Sequence, residues 1–363
     1  MGAEEHKFPC HTCGSDLGFD PDSGALKCGH CGATEAIKRS KGKLRELDFE
    51  TAARLGLDAS ESQDIRVSKC ENCGATVEFS PDVHATECAF CATPLVRDTG
   101  AQRQIKPAGL LPFALSEKAA RAAMTKWLGR LWFAPNGLQE YARKGRAMQG
   151  IYVPFWTYDA DTKSRYQGRR GTIYYETRRV RVEVDGKMET RQEQVQKIRW
   201  KNVSGRVARF FDDVLILGSK SLPKAYTDAL EPWDLDQLEI YTPEYLAGFR
   251  AEGYTVELAD GYVEARRYMD RVIAQDVRAD IGGDRQDVGH VETDVRDVTF
   301  KHILLPVWLA AYKYRGKTYR FVVNGRTGAV KGERPWSWVK ITIAVLLGAI
   351  VAGIIGFFLA QNG

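Results

Sequence analysis

Residues 172–184 read TIYYETRRVRVEV, residues 185–186 read DG, and residues 187–200 read KMETRQEQVQKIRW. β-Branched and aromatic residues are dense on both sides of Asp185-Gly186, a dipeptide that accepts the positive φ of a tight hairpin turn. Residues 172–184 and 188–200 are therefore expected to pair as antiparallel strands. Outward from this hairpin, residues 152–158 form an apolar and aromatic run that reads as a strand, with Pro154 marking an edge or a break. Residues 303–314 and 317–323 read as two further strands, and the turn at Asn324-Gly325 leads into a last short one. Ser116 starts a helical segment with Glu117 in its first turn, and Ala120, Met124, Trp127, Leu128 and Leu131 recur at helical spacing. Residues 262–274 read as a second helix. The expected fold is α+β with a mostly antiparallel sheet, over residues 105–334.

Charge is unevenly placed along this domain. Residues 163–209 hold fourteen Lys/Arg against five Asp/Glu, and residues 212–297 hold nine against twenty. The basic block also carries Tyr166, Tyr174, Tyr175 and Trp200. It reads as the wet face of a hairpin balanced by the acidic half, or as a contact for nucleic acid or anionic lipid.

Before the domain lie all eight cysteines of the 363-residue chain. Cys10-x2-Cys13 is followed after fourteen residues by Cys28-x2-Cys31, and Cys70-x2-Cys73 after fourteen by Cys88-x2-Cys91. Two thiolates two residues apart fit one tight turn, and two such turns close a tetrahedron around Zn²⁺. Phe19, Pro21, Asp22 and Ala25 align with Phe79, Pro81, Asp82 and Ala85, so the unit is duplicated. Two structural zinc ions are expected, in a ribbon over residues 1–37 and another over 68–98, joined by a charged linker over 38–67 with a short helix from Phe49 to Leu55. Disulfides are the competing reading, but the start, Glu4-Glu5-His6-Lys7, has no secretory pattern. His11, His30 and His84 read as turn or surface residues. Four thiolates leave no open position for substrate, so the metal is read as structural.

At the other end, residues 341–360 read ITIAVLLGAIVAGIIGFFLA without a charge. At about 1.5 Å per residue this run spans about 30 Å, the thickness of a bilayer core. A transmembrane helix is expected over 339–360. Trp336 and Trp338 precede it at the level of an aromatic belt, and Lys331, Arg334 and Lys340 flank it. These cations place the bulk of the chain in the cytoplasm, on a single-pass inner-membrane anchor. Ala344, Gly348, Ala352, Gly356 and Ala360 form a small-residue stripe that would let a second copy approach.

No enzyme signature stands out. Residues 217–221, LGSKS, lack the leading glycine of a phosphate loop, and residues 281–284, IGGD, are no dinucleotide fingerprint. His302 reads as a core or strand-end residue, and Asp212-Asp213 as a turn cap.

The segments TECAFC (86–91), GIYVPFW (150–156), YLAGFRAE (245–252), KHILLPVW (301–308), VNGRTG (323–328) and GERP (332–335) resemble a bacterial family of membrane-anchored double zinc-ribbon proteins. Members carry labels such as TFIIB-type zinc ribbon, or primosomal protein N' (replication factor Y) relative. The resemblance implies a link to SPFH-domain, flotillin-like proteins and to membrane-stress responses. It implies no catalytic residues, and its ribbon ligands fall on the eight cysteines. The leading expectation is a cytoplasmic adaptor that recruits protein partners to the membrane. The alternative is a nucleic-acid-binding ribbon protein, although residues 14–27 hold one lysine against three aspartates, a poor surface for phosphate.

Overall fold

The computed structural model describes residues 8–38, 42–56, 59–72, 75–78, 85–88, 90, 93–96, 101–135, 148–184, 187–314 and 317–361. Strands β1 (Leu17–Asp20), β2 (Ala25–Cys28) and β3 (Thr34–Glu35) make a small antiparallel sheet. Then β4 (Leu47–Asp48) leads into helix α1 (Phe49–Leu55), whose cap Asp48 accepts from the Thr51 N–H. The expected linker is thus structured in this part, because β4 pairs with the main sheet at Thr299 and Phe300. The second cysteine unit follows as β5 (Ser62–Lys69), β6 (Thr76–Glu78), β7 (Ala85–Glu87) and β8 (Pro94–Val96), and β9 (Ala101–Ile105) pairs back onto β5. Phe79, Pro81, Asp82 and His84 lie outside the described residues, as do Asp185 and Gly186.

The remaining strands belong to one nine-stranded sheet. They are β10 (Gly109–Leu110), β11 (Gln149–Val184), β12 (Lys187–Leu217), β13 (Glu239–Ile240), β14 (Arg250–Ala251), β15 (Arg285–Tyr314), β16 (Lys317–Asn324) and β17 (Val330–Gly332). The hairpin predicted from residues 172–200 is the end of a far longer one. At about 3.3 Å per residue β11 runs for about 120 Å. The strand β15 begins opposite Gly171, so residues 172–184 and 187–199 project beyond it as a two-stranded arm. A lone two-stranded ribbon is marginal in water. Cross-strand contacts support this one: Arg199 lies 5.1 Å over Tyr174, Arg169 lies 5.3 Å over Trp200, and Lys197 pairs with Glu176.

Pro154 sits in the middle strand of the sheet, contrary to the edge expected from proline. The reason is local. β12 ends at Leu217, and the next residue, Gly218, donates its N–H to the Pro154 carbonyl at 2.9 Å. The N–H that proline lacks would face the Gly218 carbonyl. That carbonyl instead accepts from Thr255 and Val256, at 2.8 and 3.0 Å. Pro306 in β15 repeats the arrangement. Gly325 donates to its carbonyl at 2.9 Å, and the Gly325 carbonyl accepts from Ala114 and Leu115 at 3.0 and 2.9 Å.

These are two copies of one unit. Helix α2 (Glu117–Gly129) follows β10 and helix α3 (Leu258–Ile281) follows β14. The Trp156 indole donates to the Val256 carbonyl, and the Trp308 indole to Leu115, each at 2.9 Å and each two residues before a helix starts. Tyr254 packs 5.0 Å from Trp156, and Phe113 packs 5.0 Å from Trp308. The pairing of Val153 with Leu305 lies at the centre of the exchange. Each helix docks on the other copy's hairpin, so neither half has a complete core alone.

Helix α3 buries Leu258, Gly261, Ala265, Met269, Ile273, Val277 and Ile281, one stripe at intervals of three and four. Gly261 is required there, since a Cβ would meet the Tyr158 hydroxyl at 2.5 Å. Helix α4 (Trp338–Gln361) is the one described helix long and apolar enough to cross a membrane.

Candidate metal centre

The first quartet closes as its spacing requires. Cys10 and Cys31 bring their sulfurs to 3.6 Å, Cys13 and Cys28 to 3.5 Å, and all four Sγ atoms lie within 4.8 Å of one another. A tetrahedral Zn–S bond of about 2.3 Å sets the sulfurs about 3.8 Å apart. Each turn is fixed by its backbone. The N–H groups of Cys10 and Cys28 donate to Ser15 and Ala33, and those of Gly14 and Gly32 return to the Cys10 and Cys28 carbonyls. Gly14 and Gly32 both take φ of 76°, the left-handed conformation glycine adopts without a Cβ clash.

Thiols this close cannot all ionise without a cation. The Ser15 hydroxyl and N–H lower Cys13 to about 6. Cys31 is pushed up: the Ala33 N–H lowers it, but its three sulfur neighbours and burial prevail. A divalent ion removes this conflict, and four thiolates suit zinc. His11 takes no part; it pairs with Glu35 at 3.0 Å.

In the second quartet Cys73 and Cys91 lie outside the described residues. Cys70 and Cys88 are buried, and their N–H groups donate to Ala75 and Thr93. This is the same five-residue step that Cys10 and Cys28 make to Ser15 and Ala33.

Both units are built into the main core. Phe19 donates its N–H to Ala247 at 2.8 Å, and its ring lies 5.3 Å from Tyr245 and 6.3 Å from Phe249. Cys10 and Cys28 share a buried cluster with Phe113, Tyr152 and Trp308. Cys70, Cys88 and Phe90 share another with Leu111, Leu217 and Val322. Phe19 thus bridges its small sheet to the domain core.

The structure also assembles a charged cluster that single residues did not announce. The Lys301 ammonium is buried and lies 2.9 Å from Glu46, 3.3 Å from Asp159 and 2.8 Å from Asp213. Burial alone would lower its pKa, but Asp213, Glu46 and Asp159 hold it above the ordinary lysine value. The reverse effect depresses Glu46. Asp159, Asp212 and Asp213 come close enough to hold a metal ion, yet the Lys301 ammonium already supplies a cation to Asp159 and Asp213. Asp212 and Asp213 are therefore part of a bulged, salt-bridged strand crossing, next to the register shift between Tyr158 and Ala160. The signal available in sequence was Lys301 itself, a charge inside the apolar run toward Trp308.

His302 lies within β15, fully enclosed beside Trp156 and Tyr254, with Nδ1 2.7 Å from the Ile105 carbonyl. Burial lowers its pKa to about 4, while the Ile105 carbonyl pulls the other way. The unfolded chain takes up this proton near 6.5, so stability is full above that pH and is lost as pH falls toward 4. The shift corresponds to roughly 3 kcal/mol. His302→Gln should flatten the fall in melting temperature between pH 6.5 and 4. An unchanged slope would assign the acid lability to other groups, the cysteines first.

No family model and no solved structure matches the chain. It is similar to the uncharacterized protein YdjG of Bacillus subtilis (strain 168), 26% identical over 337 residues that cover 92% of this chain and 91% of that protein.

Proposed function

We propose that the chain is a membrane-anchored cytoplasmic adaptor, stapled by two zinc ions, that presents its long β-arm to a protein partner. The observation that carries this reading is the arm. Its two strands leave the third behind at Gly171 and, beyond Ile173, whose N–H donates to Asp284, offer backbone edges unpaired among the described residues, a surface that suits strand addition. The ribbons pack into the core, one on each face of the sheet, so they act as staples and the arm becomes the docking element. The Cys70 and Cys88 turns match those of the first quartet, which supports a second zinc ion held with Cys73 and Cys91. The cations before α4 support an inner-membrane anchor with the bulk in the cytoplasm. The family resemblance makes an SPFH-domain protein the first partner to try. Ala344, Gly348, Ala352 and Gly356 would serve self-association.

A second reading, nucleic-acid binding, moves from the ribbons to the sheet face at the base of the arm. Tyr175, Trp200 and Phe210 are exposed on the sheet face away from α3, in strand register with Lys163, Arg165 and Arg206. Exposed rings between cations form a stacking platform for single strands.

A trimmed arm tests the first reading. Residues 172–199 are replaced by a two-residue turn, leaving the three-stranded sheet intact. Affinity purification from membranes should lose its protein partner, with loss of more than tenfold in recovery. Undiminished recovery would refute the adaptor reading. Salt-dependent binding of single-stranded RNA or DNA by the full chain, kept by the trim and lost on Trp200→Ala with Phe210→Ala, would favour the second reading instead.

A further inference from the structure

Helix α4 does not leave the domain on a free stalk. The Ser337 N–H donates to the Phe133 carbonyl at 2.8 Å. The Lys340 ammonium donates to the carbonyls of Trp132 and Ala134, at 3.2 and 2.9 Å. Phe133 and Trp336 lie 6.5 Å apart, and Arg334 stacks 4.2 Å over Trp336. The start of the span is thus fastened to the turn that ends α2.

That contact fixes a depth. The uncharged run 341–360 fills the hydrocarbon layer, so Lys340 lies at its boundary. Carbonyls bonded to the Lys340 ammonium lie at the same level. Trp132 belongs to this turn and is 80% exposed, the most exposed tryptophan of the chain. Its ring has an apolar body and a polar N–H, the combination that partitions to the headgroup layer. Arg130, exposed on the same turn, suits anionic headgroups.

We propose that the turn after α2 is a second membrane contact: Trp132 is seated in the headgroup layer of the bilayer that takes α4, and the α+β domain lies docked on the membrane surface. This rests on α4 being a span. The occupant is lipid and not a protein groove, because the patch is continuous with the span and shares its depth. Docking orients the arm. The anchor leaves the sheet through β17, paired to β16 at Phe321–Val323, in the rows where β11 begins. Val184, where β11 ends, is about 110 Å further along the strand.

The full chain is reconstituted in phosphatidylcholine–phosphatidylglycerol vesicles whose acyl chains are brominated near the headgroup. Bromine quenches tryptophan on contact. Trp132→Phe removes an exposed indole and disturbs no core. It should remove roughly a third of the quenchable emission, since Trp132, Trp336 and Trp338 share the belt. If Trp338→Phe lowers the quenched fraction and Trp132→Phe leaves it at the wild-type value, the docking proposal is overturned. If neither lowers it, α4 is not in the bilayer, and the span reading falls together with the proposal.

Discussion

Stripping zinc with a strong chelator should unfold the whole α+β domain and not the ribbons alone. A structural zinc bound by thiolates contributes on the order of 10 kcal/mol of folding free energy, against a net stability of roughly 5–15 kcal/mol for a domain. The first cysteine cluster is continuous with Phe113, Tyr152 and Trp308, and the second with Leu111 and Val322. These clusters take alternate residues of β11, β15 and β16 and so lie on opposite faces, and losing metal from both would open both faces of the sheet. Far-ultraviolet and near-ultraviolet circular dichroism should collapse together as chelator is added, and Cys10→Ser should lower the melting temperature by tens of degrees. Survival of the tryptophan near-ultraviolet bands after complete metal loss would show that the ribbons are separable modules.

Replacing Lys301 by methionine should be the most damaging single change away from the cysteines. It leaves Asp159, buried on the same strand crossing, without its cation, and breaking such a pair from one side costs about 3–5 kcal/mol. The pair as a whole is worth far less, because removing both charges also removes the desolvation penalty. Adding Asp159→Asn to Lys301→Met should therefore recover more than half of the loss in a urea melt. Additive losses would mean that Glu46 and Asp213, and not Asp159, hold the ammonium in place.

Much of this was legible in sequence where one residue type has one local use. The cysteine steps, the glycines after Cys13 and Cys31, the Ser116 start of α2 and the Phe49–Leu55 helix all follow from rules that reach no further than a few residues. What escaped depends on distant partners. Pro154 signals an edge until Gly218 and Thr255 are seen to share the gap it leaves. The internal duplication is written in IYVPFW (151–156) and ILLPVW (303–308), where isoleucine, proline and tryptophan repeat at the same spacing. The rest of each copy had diverged too far for the pattern to carry. The Lys301 cluster draws its members from β4, β11, β12 and β15, and no local pattern brings those together.

The exchange of helices between the two copies also bears on the order of synthesis. β11 pairs with β15, more than a hundred residues further along the chain, and α2 waits for Trp308. Contacts of such separation form late. Until residues 285–314 have been made, β11 has an open edge that could add to another chain. The residues that close it come just ahead of the span. A chain stopped before that point would carry an uncapped strand and lack the apolar helix α4, an aggregate in the making, whereas a chain that runs through α4 gains the strand partner and the apolar helix almost together.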